Sequence, residues 1–323
     1  YKRQAFERAQ SAAYGGGAVM LAPLIYGGKP LGVLAAANMG AANQFSDNDF
    51  DVFRSVAEQS AFALGNAIVH QQAAEKRRLD EELATASEVQ RILLPDAPPD
   101  IDGYQIAGVN VPAKMVSGDF FDFFPVSGDH HGVVIADVSG KGVPASLIMA
   151  MCRSVVRASA TETASPADVL AEVNRQLFPD IREDMFISLA YVVLDAASGV
   201  VQMARAGHDP PMHYSSARDE ITTVQSPGMA IGIDRGAVFE RVTRDHQLEL
   251  AEGDVLLLYT DGVNEAMDVH GEEFGVERLR AELRRHSRLP AERLVDRIRA
   301  AVASFVGDLP QNDDLTLIAI KRR

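Results

Sequence analysis

Cysteine and tryptophan are nearly missing from this sequence, whose 323 residues include one cysteine and no tryptophan. A single cysteine excludes an intrachain disulfide and favours a reducing compartment, so we expect a cytoplasmic protein. That residue, Cys152, lies in an apolar helical stretch, LIMAMCRSVV. Because free cysteines in such surroundings are commonly buried, the stretch predicts a core residue and not a catalytic nucleophile.

Long hydrophobic runs are also lacking, since none approaches the roughly 18 residues of a membrane span. Basic residues are in deficit: 31 Lys and Arg against 45 Asp and Glu give a formal net charge of -14. Nucleic acids and anionic membranes bind clustered basic side chains, so the charge argues against both as partners. The sequence has no signal-peptide pattern and begins with Tyr1 instead of Met, so we expect a piece of a longer chain.

Four aspartates carry the chemistry that the sequence predicts. They occur in the segments VSGDFFDFF, VVIADVSGKG, VLLLYTDGVNE and QNDDLTLIAI, as Asp119, Asp137, Asp261 and Asp313. Three of them adjoin a hydrophobic strand pattern, which places their carboxylates at the rim of a sheet. Several carboxylates converge only where a cation offsets their repulsion, and oxygen ligands suit Mg²⁺ or Mn²⁺. The pattern predicts a binuclear metal site and hence a hydrolase acting on phosphoryl groups.

The local context of each aspartate leaves alternatives open. Taken alone, a strand-end acid such as Asp137 usually caps a helix or forms a turn, and Asp261 with the following glycine makes a common turn. Alternation along the last strand favours only one of Asp313 and Asp314 pointing inward. We interpret SGDFFD as a tight, partly buried turn, with Asp122 as a supporting partner of the site.

Three segments follow one another along the chain: residues 1–70, residues 71–94 and residues 95–323. The last alternates strand and helix patterns, and consecutive strands joined by short Gly or Pro turns indicate antiparallel pairing. Two sheets covered by helices are the simplest way to bury these elements. We therefore predict an α+β fold, a β-sandwich with helical layers outside.

The first segment resembles the C-terminal half of a GAF sensor domain. Its hairpin, AVMLAPLIYGGKPLGVLAAANM, turns at GGKP and is followed by an F-S-x-x-D turn and an amphipathic helix capped by Ser46. The resemblance implies a partial sensor domain over residues 1–70.

Residues 71–94 contain no Gly or Pro and are rich in charge, which predicts a helix. Leu79, Leu83, Ala86 and Leu93 fall near a and d positions, with Gln90 in the remaining slot. About two heptads are too few to distinguish a parallel dimer helix from a solvated connector, so both stay open. We expect a homodimer through this linker.

The segments SGDFFD, ADVSGKGVPASLIMA, AGHDPP, PGMAIGI, GDVLLLYTDGVNEA and DDLTLI resemble the PPM metal-dependent serine/threonine phosphatases, in their SpoIIE-type bacterial branch. The resemblance covers residues 95–323. It implies that Asp137 bridges two Mn²⁺ or Mg²⁺ ions, that the Val138 carbonyl and Asp119 serve the second ion, and that Asp261 and Asp313 bind the first. It also implies hydrolysis of phosphoserine or phosphothreonine by metal-activated water.

Some expected residues are missing or ambiguous. The general acid that follows the bridging aspartate in eukaryotic relatives is replaced here by Val138 and Ser139, and no phosphate-binding arginine is evident. Lys114 either takes the place of that arginine or is a solvated loop lysine, and His208 in AGHDPP either stabilises a turn or lies at the edge of the site.

The leading hypothesis is a phosphatase with a GAF-type sensor, whose substrate the resemblance identifies as a phosphorylated STAS-type anti-sigma-factor antagonist. A catalytically silent phosphatase fold that senses or scaffolds is the alternative. A hydrolase of small phosphoesters is a third, weaker reading.

Overall fold

The computed structural model describes residues 8–10, 18–38, 45–160 and 165–323. It contains two compact units, residues 1–82 and 83–323. The predicted boundaries at residues 70 and 94 stay a prediction, and parts of the predicted sensor segment (1–7, 11–17 and 39–44) lie outside the described residues. No helix in the described ranges is long and apolar enough to cross a bilayer.

The first unit contains a three-stranded antiparallel sheet in the order β1-β2-β3, followed by a long helix; the bounds are β1 Arg8–Gln10, β2 Ala18–Tyr26, β3 Lys29–Asn38 and α1 Asp47–Leu93. The hairpin turn is two residues, not the four predicted, because Lys29 already pairs with Tyr26. Gly27 and Gly28 both have positive φ, 55° and 81°, which a tight two-residue turn requires.

Ser46 caps α1 as predicted. Its hydroxyl accepts a hydrogen bond from the Asp49 amide, and the Asp49 carboxylate accepts one from the Ser46 amide at 2.8 Å. This reciprocal pair satisfies two backbone donors at the helix start. The helix runs without a break to Leu93, so its last turns belong to the second unit.

The second unit is a sandwich of two five-stranded antiparallel sheets. One sheet has the order β10-β9-β12-β13-β4 and the other β11-β8-β7-β6-β5. The strands are β4 Tyr104–Val111, β5 Phe120–Ser127, β6 His130–Val138, β7 Ile187–Asp195, β8 Val200–Ala206, β9 Met212–Ser215, β10 Glu220–Thr223, β11 His246–Glu249, β12 Val255–Tyr259 and β13 Leu315–Arg322.

Helices cover the outer face of each sheet. Their bounds are α2 Val143–Ser159, α3 Pro166–Leu177, α4 Ala237–Val242, α5 Asp261–Asn264, α6 Gly275–His286 and α7 Ala291–Val306. One apolar cluster lies between the sheets, a second joins the β5–β8 sheet to α2 and α3, and a third joins the other sheet to α6 and α7. The predicted α-β-β-α fold class is confirmed. Cys152 lies in α2 with no exposed surface, as expected of a core residue.

One prediction was wrong: SGDFFD is not a turn throughout, because β5 begins at Phe120. Phe121 and Phe123 pack between the two sheets, while Phe120 and Phe124 pack under the helices. A strand buried on both faces shows no alternation of apolar and polar residues, so the sequence pattern did not predict β5 as a strand.

Candidate active site

Strand pairing brings the four predicted aspartates to one end of the sandwich. Asp119 precedes β5 and Asp137 lies near the end of β6, and these strands pair antiparallel. Asp261 follows β12 and Asp313 precedes β13, which pair in the same way. Each sheet therefore contributes two neighbouring acids, because the end of one antiparallel strand lies beside the start of its partner.

A cavity of about 340 Å³ opens at this end. Five of the predicted site residues line it, together with residues of the glycine-rich turn after β6. The predicted residues in its wall are Asp137, Val138, His208, Asp261 and Asp313. Asp119, Asp122, Lys114 and Asp314 are not among the lining residues.

Asp119 lies behind the cavity wall, 2% exposed. Its Oδ2 accepts hydrogen bonds from the Thr260 and Thr316 hydroxyls, both at 2.7 Å. Burial, and then the charge of Asp137, raises the pKa of the Asp119 carboxyl well above its usual range. Asp119 therefore supports Asp137 from the protein side, at the place where the two sheets meet.

The remaining acids repel one another. Burial, and then the charge of Asp261, raises the pKa of Asp137; burial, and then Asp313, raises that of Asp261. Asp209, which the sequence reasoning missed, also lines the cavity, and burial followed by the charge of Asp261 raises its pKa. The wall is thus an electronegative surface on which acids outnumber the basic side chains of the lining residues.

Lys141 is the cation that sequence reasoning overlooked. Its Nζ lies 3.0 Å from Asp313 Oδ2, and it is the one basic side chain, apart from His208, among the lining residues. The signal was present in the turn ADVSGKG, where glycines flank a lysine. Lys114, the predicted candidate, is exposed on the loop between β4 and β5 and does not line the cavity.

Asp313 and Asp314 point in different directions, as alternation predicts. Asp313 faces the cavity, whereas Asp314 is 7% exposed and accepts hydrogen bonds from the Ala113 amide, the Ser117 hydroxyl and the Gly118 amide at 2.7–2.8 Å. Asp314 therefore positions the loop before Asp119 and does not contact the cavity.

Gln90, near the end of α1, holds the same loop. Its side-chain amide donates to the Ser117 carbonyl at 2.6 Å, and its Oε1 accepts from the Ser117 amide at 2.9 Å. The Ser117 hydroxyl in turn donates a hydrogen bond to the Asp119 carbonyl at 3.1 Å and accepts one from the Asp119 amide at 3.0 Å. The heptad pattern put Gln90 in an a or d slot and left a dimer helix and a solvated connector open; the structure uses its side chain inside the second unit.

Two glycines allow the close approach that the site requires. A Cβ on Gly118 would lie 2.8 Å from the Val138 carbonyl oxygen, and one on Gly262 would lie 1.9 Å from the Asp314 carbonyl oxygen. Neither position has room for a side chain. The glycines keep the backbone of the Asp119, Asp137, Asp261 and Asp313 motifs in mutual contact.

His208 is buried, and its Nδ1 lies 2.8 Å from the Ser188 hydroxyl. Burial, and then the charge of Arg205, lowers the pKa of His208 to about 3. Its imidazole is therefore neutral near pH 7 and unsuited to donate a proton as a general acid.

Asp122 is buried away from the cavity and pairs with α2. Its carboxylate accepts hydrogen bonds from Arg157 at 2.5 and 2.7 Å, and the Arg153 Nε lies 3.0 Å away without hydrogen-bond geometry. The contacts of Asp122 fasten the helix that begins after the Asp137 turn.

The donor set fits a divalent cation. Four aspartates and one glutamate line the cavity together with the Val138 segment, and neighbouring aspartates repel one another without a cation. Among the described residues, no three Asp, Glu, His or Cys side chains form a group that could by itself hold an ion. Mg²⁺ ordinarily takes one or two protein carboxylates and keeps several waters, so an open arrangement suits it.

The chain is similar to two protein families and to a curated phosphatase. Residues 127–323 match the family of stage II sporulation protein E (SpoIIE), and residues 3–64 match the GAF domain. The phosphoserine phosphatase RsbU of Bacillus subtilis is 28% identical over 279 residues, covering 84% of this chain and 81% of RsbU.

Two solved structures share the fold. The SiaA-PP2C domain of Pseudomonas aeruginosa superposes with a TM-score of 0.68 at 25% identity, covering 78% of this chain and 100% of that domain. The RsbU and RsbW domains of a Mycobacterium tuberculosis protein give a TM-score of 0.60 at 26% identity, covering 70% of this chain and 61% of the other.

The fold and the matches define a PP2C-type phosphatase class, which is metal dependent. The chain belongs to the SpoIIE family. The predicted resemblance and the predicted enzyme class, a protein serine/threonine phosphatase, are confirmed at that level. The roles of individual residues stay predictions.

Proposed function

We propose that this chain is a Mn²⁺- or Mg²⁺-dependent phosphatase that hydrolyses phosphoserine or phosphothreonine on a regulatory protein. The observation that carries the proposal is the single cavity in which Asp137, Asp261 and Asp313 converge beside the Val138 segment. A phosphate ester is itself an anion, so these acids would repel it unless cations reversed the local charge.

We assign two ions to this cavity. Asp137, Asp261, Asp313 and the Val138 carbonyl would hold them, with Asp119 supporting this set from behind the cavity wall. When bound, such ions polarise the phosphoryl group and lower the pKa of water. Asp119, which accepts hydrogen bonds from the Thr260 and Thr316 hydroxyls, would keep Asp137 in place. The Lys141 ammonium, beside Asp313, would attract phosphate oxygens to the cavity.

The proposed substrate is a phosphorylated STAS-type anti-sigma-factor antagonist, in a partner-switching pathway. Two comparisons support this choice: one relative is named phosphoserine phosphatase RsbU, and one solved neighbour joins RsbU and RsbW domains in a single protein.

Regulation through the GAF segment and the linker helix is part of the proposal. The helix α1 is continuous from Asp47 to Leu93, and Gln90 in its last turn holds Ser117 beside the Asp119 motif. A homodimer through α1 is also proposed, and Val89 and Ile92 are exposed apolar residues three positions apart on its last turns. Light scattering of Val89→Glu and Ile92→Glu tests the dimer; an unchanged mass would contradict it.

The test of the activity compares substrates. With Mn²⁺ present, a phosphoserine STAS-domain protein should be hydrolysed with a higher kcat/KM than a nucleotide or a sugar phosphate. Faster turnover of the small esters would favour a small-molecule phosphatase. A chain that binds Mn²⁺ and the phosphoprotein but turns over none of these substrates would favour the silent scaffold.

A further inference from the structure

A second cavity, of about 580 Å³, adjoins the carboxylate cavity. Its walls come from the last two turns of α7, the loop that follows this helix, and the segment after α5. The apolar residues of this groove include Met267, Val302, Ala303, Val306, Leu309 and Leu315.

The groove and the carboxylate cavity share three wall residues, Lys141, Glu265 and Asp313. The groove is therefore charged where it meets the proposed catalytic centre and mainly apolar where it leads away, with Arg299 as a further charged residue in its wall. Two large apolar side chains in its wall, Met267 and Leu309, are 39% and 41% exposed. Exposed apolar surface that continues from a reactive site is typical of a surface for binding a partner.

We propose that this groove binds an apolar side chain of the substrate protein, one to three residues from the phosphoserine. The proposal rests on the proposed function, which places the phosphate ester among the carboxylates. An extended chain advances about 3.3–3.6 Å per residue, so a side chain two residues from the phosphoserine lies roughly 7 Å along the substrate. Because the groove and the carboxylate cavity share three wall residues, such a side chain has a direct route from the carboxylates into the groove. A leucine, isoleucine or methionine suits its lining.

The test uses two synthetic phosphoserine peptides and the full 323-residue chain with Mn²⁺. One peptide carries leucine at the second position on either side of the phosphoserine, and the other carries glycine there. Burial of one large aliphatic side chain should raise kcat/KM for the leucine peptide about 10- to 100-fold over the glycine peptide. Equal kcat/KM for the two peptides would overturn the proposal.

Variants test the location. Ala303→Glu places a charge in the groove from an exposed position of α7, while Ser304→Glu, on the next residue, does not line the groove and is the matched control. Ala303→Glu should abolish the preference for leucine, whereas Ser304→Glu should keep it. Leu309→Ser, in an exposed loop, should reduce the preference without a risk to folding.

Hydrolysis of free O-phosphoserine, which carries no neighbouring side chain to enter the groove, should be unchanged in all three variants. If Ala303→Glu and Leu309→Ser lose this activity together with the preference for leucine, the proposal is contradicted, because both substitutions would then act on the carboxylate cavity and not on the groove. If the unaltered chain hydrolyses no substrate, the proposed function fails, and fluorescence anisotropy of the labelled peptides then decides about the groove separately. Tighter binding of the leucine peptide that is lost in Ala303→Glu supports the groove; equal binding overturns it.

Discussion

Replacement of Gln90 by methionine tests whether α1 supports the motifs proposed to bind metal. Methionine keeps a similar volume in this buried position but removes both hydrogen bonds to Ser117, at 2.6 and 2.9 Å. At about 1 kcal/mol of net stabilisation for each bond, the loss is about 2 kcal/mol. If that free energy orders the loop before Asp119, kcat/KM should fall about 30-fold.

The assay is phosphate release as a function of Mn²⁺ concentration. Gln90→Met should lower kcat/KM and raise the Mn²⁺ concentration needed for half-maximal activity, since the loop carries Asp119. Gln71→Met, at an exposed position of the same helix, is the matched control and should match the unaltered chain. A variant that unfolds more easily in urea, yet keeps kcat/KM within about threefold and an unchanged Mn²⁺ dependence, would refute the coupling and leave Gln90 a purely structural residue.

Three further predictions concern the backbone, the α2 anchor and the linker. Gly262→Ala forces a Cβ to 1.9 Å from the Asp314 carbonyl oxygen, so activity should fall and the free energy of unfolding should fall by on the order of 3 kcal/mol in urea titrations. Gly32→Ala is the control and should be neutral, because no atom lies within 4 Å of the added Cβ. A neutral Gly262→Ala would contradict the packing. Asp122→Asn removes the charge of a buried carboxylate that lies beside Arg153 and the half-exposed Arg157, so the free energy of unfolding should fall by about 1–3 kcal/mol. The Mn²⁺ affinity should be unchanged by calorimetry; a large loss of affinity would place this carboxylate in the site. Insertion of one alanine between residues 82 and 83 rotates one end of α1 relative to the other by about 100° and should alter phosphate release. A seven-residue insertion nearly restores the rotational phase of the helix and should leave phosphate release unchanged. Equal activity of both variants would contradict signalling through the rotation of α1.

The elements that sequence periodicity predicts are those with one clear amphipathic face or one uninterrupted apolar run. The helix around Cys152 was recognised from its apolar stretch LIMAMCRSVV, and β6 and β12 were recognised from their apolar runs. β5 was missed because phenylalanines fill both of its faces. Asp261 was read as a turn residue, whereas it begins the single helical turn α5.

The site residues, too, were predictable where a local sequence pattern marks them. Asp137, Asp261 and Asp313 were identified because each adjoins a recognisable strand, and strand pairing then brings them to one cavity. The contacts that hold them join residues distant in sequence, such as Gln90 with Ser117, and Asp119 with Thr316 197 positions away. Such pairs leave no local pattern, so only the fold reveals them.

The central claim is that the converging carboxylates form a divalent metal site that hydrolyses a phosphoprotein. The most direct measurement is Mn²⁺ binding by calorimetry together with phosphate release from a phosphoserine STAS-domain protein, for the unaltered chain, Asp137→Asn and the exposed-turn control Asp129→Asn. We predict Mn²⁺-dependent release that chelator abolishes, that Asp137→Asn loses together with Mn²⁺ affinity, and that Asp129→Asn retains. Release that persists in chelator, or in Asp137→Asn at an unchanged Mn²⁺ affinity, would contradict the account.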